Sequence, residues 1–197
     1  MFSGLLEELV QNLKKLPGIG TKSAERLAMF IVNMEKEKAH ELADSIKETV
    51  DSYTNCIVCN VLSENEICEF CGALNRDEHL LCVVENTQDV YLIEKMHEFN
   101  GKYFVLGNLL SPIDGIGPQQ IYFSKLKELV KSAKIKEIIL ALNPSAEGES
   151  TINFIASQLE NVEITRLSVG LPFGGDIEYT SSMTLSSAFK RRFSVTE

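Results

Sequence analysis

The sequence predicts an α/β fold with a mostly parallel sheet, preceded by an all-α N-terminal region and a small cysteine module. From residue 80 onwards, apolar runs with the character of buried strands alternate with amphipathic helical segments. Such alternation is typical of a parallel sheet covered by helices. Before residue 54 the apolar residues follow helical spacing only, and four cysteines within sixteen residues separate the two parts. The chain therefore combines unlike segments.

The composition indicates a globular protein with an acidic total charge. The 197 residues carry a formal net charge of −9, and 44% of them are hydrophobic. Because charges interrupt the leucines of the N-terminus, we expect neither a signal peptide nor a membrane span, and a cytoplasmic location. A surface that is basic all round is excluded, but local basic patches are not. Two such clusters stand out: Lys14, Lys15, Lys22 and Arg26, and Lys190, Arg191 and Arg192.

Three helices are predicted in the N-terminal region. Apolar spacing predicts the first over 5–16 and the second from Thr21 or Lys22 to 33, joined by a tight turn at 17–20. The second helix should turn these residues inward: Ala24, Leu27, Ala28 and Ile31. A third helix is predicted over 36–53, with one apolar side formed by Ala39, Leu42, Ala43, Ile46, Val50 and Tyr53.

The turn between the first two helices has the composition of a phosphate-binding site. Gly18 and Gly20 let the backbone approach an anion, and the amides that open the second helix would point at it. Lys22 and Arg26 lie one helical turn apart, on the same face. The stretch LPGIGTKSAERLA resembles a helix-hairpin-helix motif, which binds DNA without sequence specificity. A plain helical hairpin is the alternative. We predict a DNA-binding region over 1–54, with these contact residues: Lys14, Lys15, Gly18, Gly20, Lys22 and Arg26.

The four clustered cysteines predict a structural zinc site in a module spanning 55–78. Cys56 and Cys59 form one pair with a two-residue gap, and Cys68 and Cys71 form the second. Four thiolates complete a tetrahedral shell around zinc and leave no position open for a substrate. Because the residues between the pairs are mostly polar, we expect metal binding to supply folding energy. Two disulfides or four unrelated thiols are the alternatives. The fifth cysteine, Cys82, is predicted to be a small core residue.

The remainder of the chain is predicted to form the α/β domain, over 79–174, and a C-terminal oligomerisation segment, over 175–197. The predicted strands are 80–85, 102–106, 137–142 and 163–169, and the predicted helices are 87–99, 119–134 and 147–161. A sharp turn at Gly174 and Gly175 should precede a short helix that begins near Thr184 or Ser186. The closing residues are apolar and basic, which suits packing on a neighbouring subunit or on nucleic acid.

Two strand ends carry carboxylates. Glu85 closes the first strand, and NPSAEGE (143–149) follows the third. This pair of motifs resembles the Toprim domain, in which a glutamate and an Asp-x-Asp motif hold magnesium. Asn143 and Ser145 occupy the two aspartate positions, and neither brings a negative charge to a hard cation. We therefore predict a degenerate Toprim domain that is not an enzyme; an active magnesium-dependent nuclease or topoisomerase-like enzyme is the alternative.

The remaining carboxylates suggest a docking surface for a basic partner. They are Glu85, Glu147 and Glu149. Without a catalytic role, such groups would offer charge complementarity to a basic protein. For Glu149 the alternative is that it stabilises the amino end of the following helix.

The order of these parts over the whole chain resembles the RecR family of bacterial recombination proteins. The resemblance implies a non-catalytic mediator that acts with RecO, and in some bacteria RecF, to load RecA at single-stranded gaps. It also implies a ring-shaped homotetramer that encircles single- or double-stranded DNA. We therefore expect a location at the nucleoid and no association with a membrane. Lys22 and Arg26 of several subunits would then face one channel. A protein-binding scaffold without DNA contact is a further alternative.

Overall fold

The computed structural model describes residues 2–194. The chain divides after Tyr53 into two compact units. Among the described residues, no helix combines the length and the hydropathy that crossing a membrane would require.

The first unit consists of three helices, as the sequence predicted. These are α1 (Leu5–Leu13), α2 (Thr21–Val32) and α3 (Lys36–Ser52). Its core is formed where Val10 of α1 meets Ala24 and Ala28 of α2, all three buried. The two alanines lie one turn apart and allow the helices to approach closely. The pairing of α1 with α2 therefore depends on a narrow stripe of small residues.

Two predictions in this unit were wrong in detail. Helix α1 was expected to reach Leu16 but ends at Leu13, where three-residue turns replace the helical bonds. Pro17 explains the early end, because a proline disfavours helical geometry in the residue before it. Leu27 was expected to face inward but is 36% exposed, since the alanines make the contact. The apolar side of α3 is also open to solvent, with Leu42, Ile46 and Val50 all exposed.

The second unit begins with the cysteine module. It contains a short antiparallel pair, β1 (Thr54–Asn55) and β2 (Leu62–Ser63), and the single-turn helix α4 (Glu69–Gly72). Val61 and Phe70 of this module are buried in the same hydrophobic core as the sheet. The module is therefore packed as part of the α/β unit.

A four-stranded parallel sheet forms the centre of the second unit. Its strands are β3 (Asp77–Val84), β4 (Gly101–Val105), β5 (Glu137–Leu140) and β6 (Glu163–Arg166), in the order β4-β3-β5-β6. The crossover helices are α5 (Thr87–Glu94), α6 (Phe123–Ser132) and α7 (Ala146–Gln158). Central β3 is buried from Leu81 to Val84, as a strand covered on both faces should be. Cys82 lies in this run, which confirms its predicted place in the core.

The strand order creates a crevice at one edge of the sheet. After β3 the chain moves to β4 on one side, and it later returns to β5 on the other side of β3. In open α/β sheets, such a reversal leaves a crevice at the carboxyl ends of the two strands, where ligands commonly bind. The residues that follow β3 and β5 therefore meet there.

Several predicted boundaries in this unit were wrong. Strands β5 and β6 and helix α7 end two or three residues earlier than predicted. Helix α5 stops at Glu94 rather than 99, because a turn follows in which His97 adopts a left-handed φ of 56°. Helix α6 begins at Phe123 rather than 119, because the Gln120 side chain accepts the Gly117 amide in a turn. The C-terminal helix, α8 (Ser182–Lys190), begins earlier than predicted, because the Ser181 side chain caps it.

Candidate functional site

The four cysteines of the module form one cluster. Their sulfur atoms all lie within 4.8 Å of one another, and within residues 2–194 this is the only group of three or more metal-ligating side chains so close together. All five described cysteines are free, so the alternative of two disulfides is not realised. Four thiol ligands in a closed group could hold a metal ion, and the ligand set suits tetrahedral zinc.

The thiols of this cluster are close enough to alter one another's pKa. The Cys59 and Cys68 sulfurs lie 3.4 Å apart, and the hydrogen bond between them lowers the pKa of Cys68 and raises the pKa of Cys59. A backbone amide also points into the cluster, from Cys68 to the Cys56 sulfur at 3.4 Å. Four thiolates this close would repel one another without a cation between them. The geometry therefore favours the metal-bound state.

Local backbone geometry builds each cysteine turn. In the first, Asn60 adopts a left-handed φ of 62°, and its amide donates to the Cys56 carbonyl at 3.0 Å. Asparagine tolerates this conformation better than most residues. In the second, α4 follows Cys68 directly and carries Cys71. Val61 and Phe70 also anchor the module in the core, so apolar burial adds to the folding energy that we expect from metal binding.

The turn of the first unit leaves the start of α2 open. Gly18 has a left-handed φ of 78°, and Gly20 is the extended residue before α2. No side chain caps α2, so its first amides are available to an external acceptor. Lys22 and Arg26 are exposed beside them, and neither forms an ion pair within the described part of the chain. This arrangement suits a phosphate group.

The two other predicted basic residues lie at the end of α1. Lys14 is the residue that closes the helix, and Lys15 follows it; both are exposed. The Lys15 ammonium donates to the side chain of Asn12 at 2.9 Å. Contact of these lysines with DNA stays a prediction.

The carboxylate at the end of β3 meets the residue that follows β5. Asn143 donates from its side-chain amide to Glu85 at 3.4 Å, across the crevice predicted from the strand order. The crevice has a volume of about 320 Å³ and is lined by Glu85, Asn108, Leu109, Ser111, Asp114, Ile116, Asn143, Ser145 and Glu147. Asp114, whose carboxylate accepts from the Ser111 hydroxyl at 2.5 Å, was missed by sequence reasoning. The sequence signal was its place in the Gly- and Pro-rich loop after β4.

The two positions that depart from Asp-x-Asp have structural partners. Ser145 caps α7, because its hydroxyl accepts the Gly148 amide at 3.1 Å. A side chain at position 148 would overlap the Asn143 carbonyl, so the loop needs glycine there. The crevice carboxylates of the described chain do not converge closely enough to form a group of metal ligands. A two-metal centre for phosphoryl transfer would need such convergence.

Glu149 lies outside this crevice and is paired. Its carboxylate accepts from both terminal nitrogens of Arg166, the last residue of β6, at 2.5 and 2.8 Å. The hydrogen bonds from Arg166 lower the pKa of Glu149. Arg166 was not among the predicted residues, and no local pattern in the sequence connects it to Glu149. Glu147 lines the crevice and forms no ion pair among residues 2–194.

Comparison with known proteins agrees with this architecture. Residues 6–50 match the family model for the RecR helix-hairpin-helix, and residues 79–168 match that for the Toprim domain. The recombination protein RecR of Acinetobacter baylyi is 44% identical over 194 residues, which are 98% of each chain. The chain belongs to the RecR family. RecR of Halorhodospira halophila is 41% identical over 98% of this chain and 96% of its own length. RecR of Francisella philomiragia is 39% identical over 99% of this chain and 98% of its own length.

The two family models cover the predicted DNA-binding and carboxylate residues. The helix-hairpin-helix match contains the six predicted DNA-binding residues, and the Toprim match contains Glu85, Glu147, Glu149 and Arg166. The four cysteines lie between the two matched regions. The helix-hairpin-helix region and the α/β Toprim fold predicted from the sequence are therefore confirmed.

Proposed function

We propose that this RecR family protein binds DNA in recombinational repair as a non-catalytic clamp. The single observation that carries the proposal is the exposed pair Lys22 and Arg26 beside the uncapped start of α2. A phosphate bound there would meet two cationic side chains and the positive end of a helix. The relatives are named recombination proteins, which supports a role in the same process.

The binding would be insensitive to sequence and sensitive to salt. Contacts to the phosphate backbone do not depend on the base sequence, and both single strands and duplexes offer phosphates to bind. Each neutralised phosphate releases counterions, which makes affinity fall as salt rises. A chain with a net charge of −9 binds DNA well only if its basic faces are brought together.

A homotetramer would bring these faces together around one DNA channel. Two exposed apolar surfaces support such assembly: the side of α3 with Leu42, Ile46 and Val50, and the C-terminal segment with Phe173, Met183 and Phe189. Exposed apolar clusters of this kind commonly mark interfaces. Four weak phosphate sites acting together would give avidity that one subunit lacks.

In the proposed role the Toprim domain binds partner proteins and catalyses no reaction. Glu85 and Glu147 offer negative charge in the crevice to a basic protein, which we propose is RecO, and RecF where it is present. The complex would then load RecA at single-stranded gaps near the nucleoid. Zinc in the four-cysteine site would be structural. DNA cleavage in the presence of magnesium that is abolished by Glu85→Gln would instead establish the alternative, an active Toprim enzyme.

The proposal is tested by removing the two cationic side chains. We expect Lys22→Ala combined with Arg26→Ala to weaken binding of labelled single strands and duplexes by roughly tenfold or more, because each subunit loses two contacts. The slope of log affinity against log salt should flatten by about 0.9 for each lost duplex contact. Fluorescence anisotropy at several salt concentrations measures both.

The matched control for this test is Lys36→Ala combined with Lys38→Ala. Both lysines are exposed on α3, and Lys38 is already paired with Glu35. The control removes the same number of charges and should bind DNA like the wild type. Equal affinities and equal salt slopes for the two double variants would reject the DNA-binding role of α2.

A further inference from the structure

Each cysteine turn of the metal site is held by one lysine from the α/β domain. The Lys125 ammonium, on α6, donates to the Cys56 carbonyl at 3.1 Å and to the side-chain oxygen of Asn60 at 2.6 Å. The Lys102 ammonium, on β4, donates to three carbonyls of the second turn, those of Phe70, Cys71 and Ala73, at 3.0, 3.1 and 2.8 Å. A lysine has three donors, so those of Lys102 are all used.

Lys102 stabilises the short helix that carries one ligand. Helix α4 has four residues and includes Cys71, and so short a helix is not stable alone. Its last carbonyls lack partners within the helix, and a cation at this end satisfies them and complements the helix dipole. Phe70 of the same helix packs edge-on against Tyr103, with ring centroids 5.4 Å apart. The second cysteine pair is thus oriented by β4 through Lys102 and Tyr103.

Lys125 stabilises the first turn from the other side. It binds Asn60, whose left-handed backbone closes the turn between Cys56 and Cys59. The side-chain amide of Asn60 donates to the Val105 carbonyl at 3.1 Å, and the Val105 backbone amide donates to the Cys59 carbonyl at 2.8 Å. The first cysteine pair is therefore connected to α6 and to the edge of the sheet.

We propose that Lys102 and Lys125 are positioning residues of the metal centre, which hold the two cysteine pairs in ligating geometry. Four thiolates around a divalent cation carry two surplus negative charges, and two nearby ammonium groups offset them. Metal retention then depends on the folded α/β domain and not on the cysteine segment alone. The inference requires only that the four cysteines bind a metal, so it stands or falls independently of DNA binding.

The experiment measures zinc release from the purified full-length protein to a chromogenic chelator under native conditions. We expect Lys102→Met and Lys125→Met each to accelerate release about tenfold or more, the usual effect of losing a partner of metal ligands. Both substitutions keep the apolar stem and remove the ammonium. Reloading with cobalt should give altered visible absorption bands, which report ligand geometry directly.

Two controls separate positioning from general stability. Lys131→Met removes an exposed ammonium from the same helix as Lys125, and it should release zinc at the wild-type rate. Ile152→Val shortens a buried side chain of α7, outside the cysteine module. It should lower the thermal midpoint without accelerating native release. Lys102→Arg, which keeps the charge, should release zinc more slowly than Lys102→Met.

The inference has clear contrary outcomes. Zinc release at the wild-type rate from both Lys102→Met and Lys125→Met would overturn it. So would an Ile152→Val variant that has the same thermal midpoint as the lysine variants and releases zinc as fast as they do. If Lys102→Met does not fold, Lys125→Met, which loses only two hydrogen bonds, decides alone. A wild-type protein that binds neither zinc nor cobalt would overturn the metal assignment and this inference together, while leaving the DNA-binding test unaffected.

Discussion

Glu149 and Arg166 form a two-point ion pair that joins the first turns of α7 to the end of β6. Each carboxylate oxygen accepts a hydrogen bond from one terminal guanidinium nitrogen, at 2.5 and 2.8 Å. Glu147, two residues earlier, lines the crevice beside Glu85 instead. One acidic motif therefore contains a glutamate that is paired within the fold and another that lines the crevice without an ion pair in the described chain.

The first prediction concerns the stability that this pair provides. We expect Glu149→Gln to lower the free energy of unfolding by about 0.5–1 kcal/mol, since the Glu149 side chain is 46% exposed and solvent screens the pair. Urea denaturation near neutral pH measures the change. Glu147→Gln is the control and should unfold like the wild type. Equal destabilisation by the two substitutions would contradict the assigned roles.

The second prediction concerns partner docking at the crevice. We expect Glu85→Lys combined with Glu147→Lys to weaken binding of purified RecO by about tenfold or more, because reversed charges repel a basic partner. Surface plasmon resonance at low and moderate salt measures this effect. Glu160→Lys changes an exposed glutamate after α7 and should bind RecO normally. Undiminished binding of the double variant would show that RecO docks elsewhere.

The third prediction concerns pH and the ion pair between Arg76 and Glu94. Arg76 hydrogen-bonds Glu94 at 2.6 and 2.9 Å, which lowers the pKa of Glu94 below its usual 4.5; the Tyr103 hydroxyl, at 2.5 Å, also lowers it. A carboxylate with a lowered pKa stabilises the fold fully above pH 4.5. That stability is lost as the pH falls through the lowered value.

The test compares wild type with Glu94→Gln by denaturation at several pH values. Near neutral pH, we expect Glu94→Gln to be less stable by about 1–3 kcal/mol, because charged hydrogen bonds with largely buried groups are lost. As the pH falls below 4.5 and through the lowered pKa of Glu94, where the folded wild-type carboxylate takes up its proton, the difference should shrink. If the difference in the free energy of unfolding were the same at every pH, the charge of Glu94 would contribute nothing to stability.

The fourth prediction concerns the glycine of the loop after β5. A Cβ at position 148 would overlap the Asn143 carbonyl, which belongs to the backbone and has no freedom to rotate away. We expect Gly148→Ala to destabilise the α/β unit by about 1–3 kcal/mol, despite the better helix propensity of alanine. Thermal unfolding measures it. Gly170→Ala, where the added carbon meets nothing within 4 Å, should change stability little.

Boundary errors show where local patterns lose to other interactions. The apolar spacing that predicted a helix to Leu16 takes no account of the restriction that Pro17 places on the residue before it. The spacing that predicted a buried Leu27 takes no account of the alanines that bring α1 and α2 together. The capping role of Ser181 was missed because Thr184 and Ser186 are equally plausible caps by residue type. Which of the three residues caps α8 depends on the residue at which the preceding loop ends.

The sequence by itself determined the cysteine pairs, the helical hairpin and the alternation of strands and helices. Each of these depends on residues that are close along the chain, so composition and spacing are enough to recognise them. Only the tertiary structure decided that Arg166 pairs with Glu149, that Asp114 lines the crevice, and that Lys102 and Lys125 donate to the two cysteine turns. The hydrogen-bonded residues are 17–69 positions apart in the sequence. Strand order and the packing of the helices and the cysteine module against the sheet bring them together.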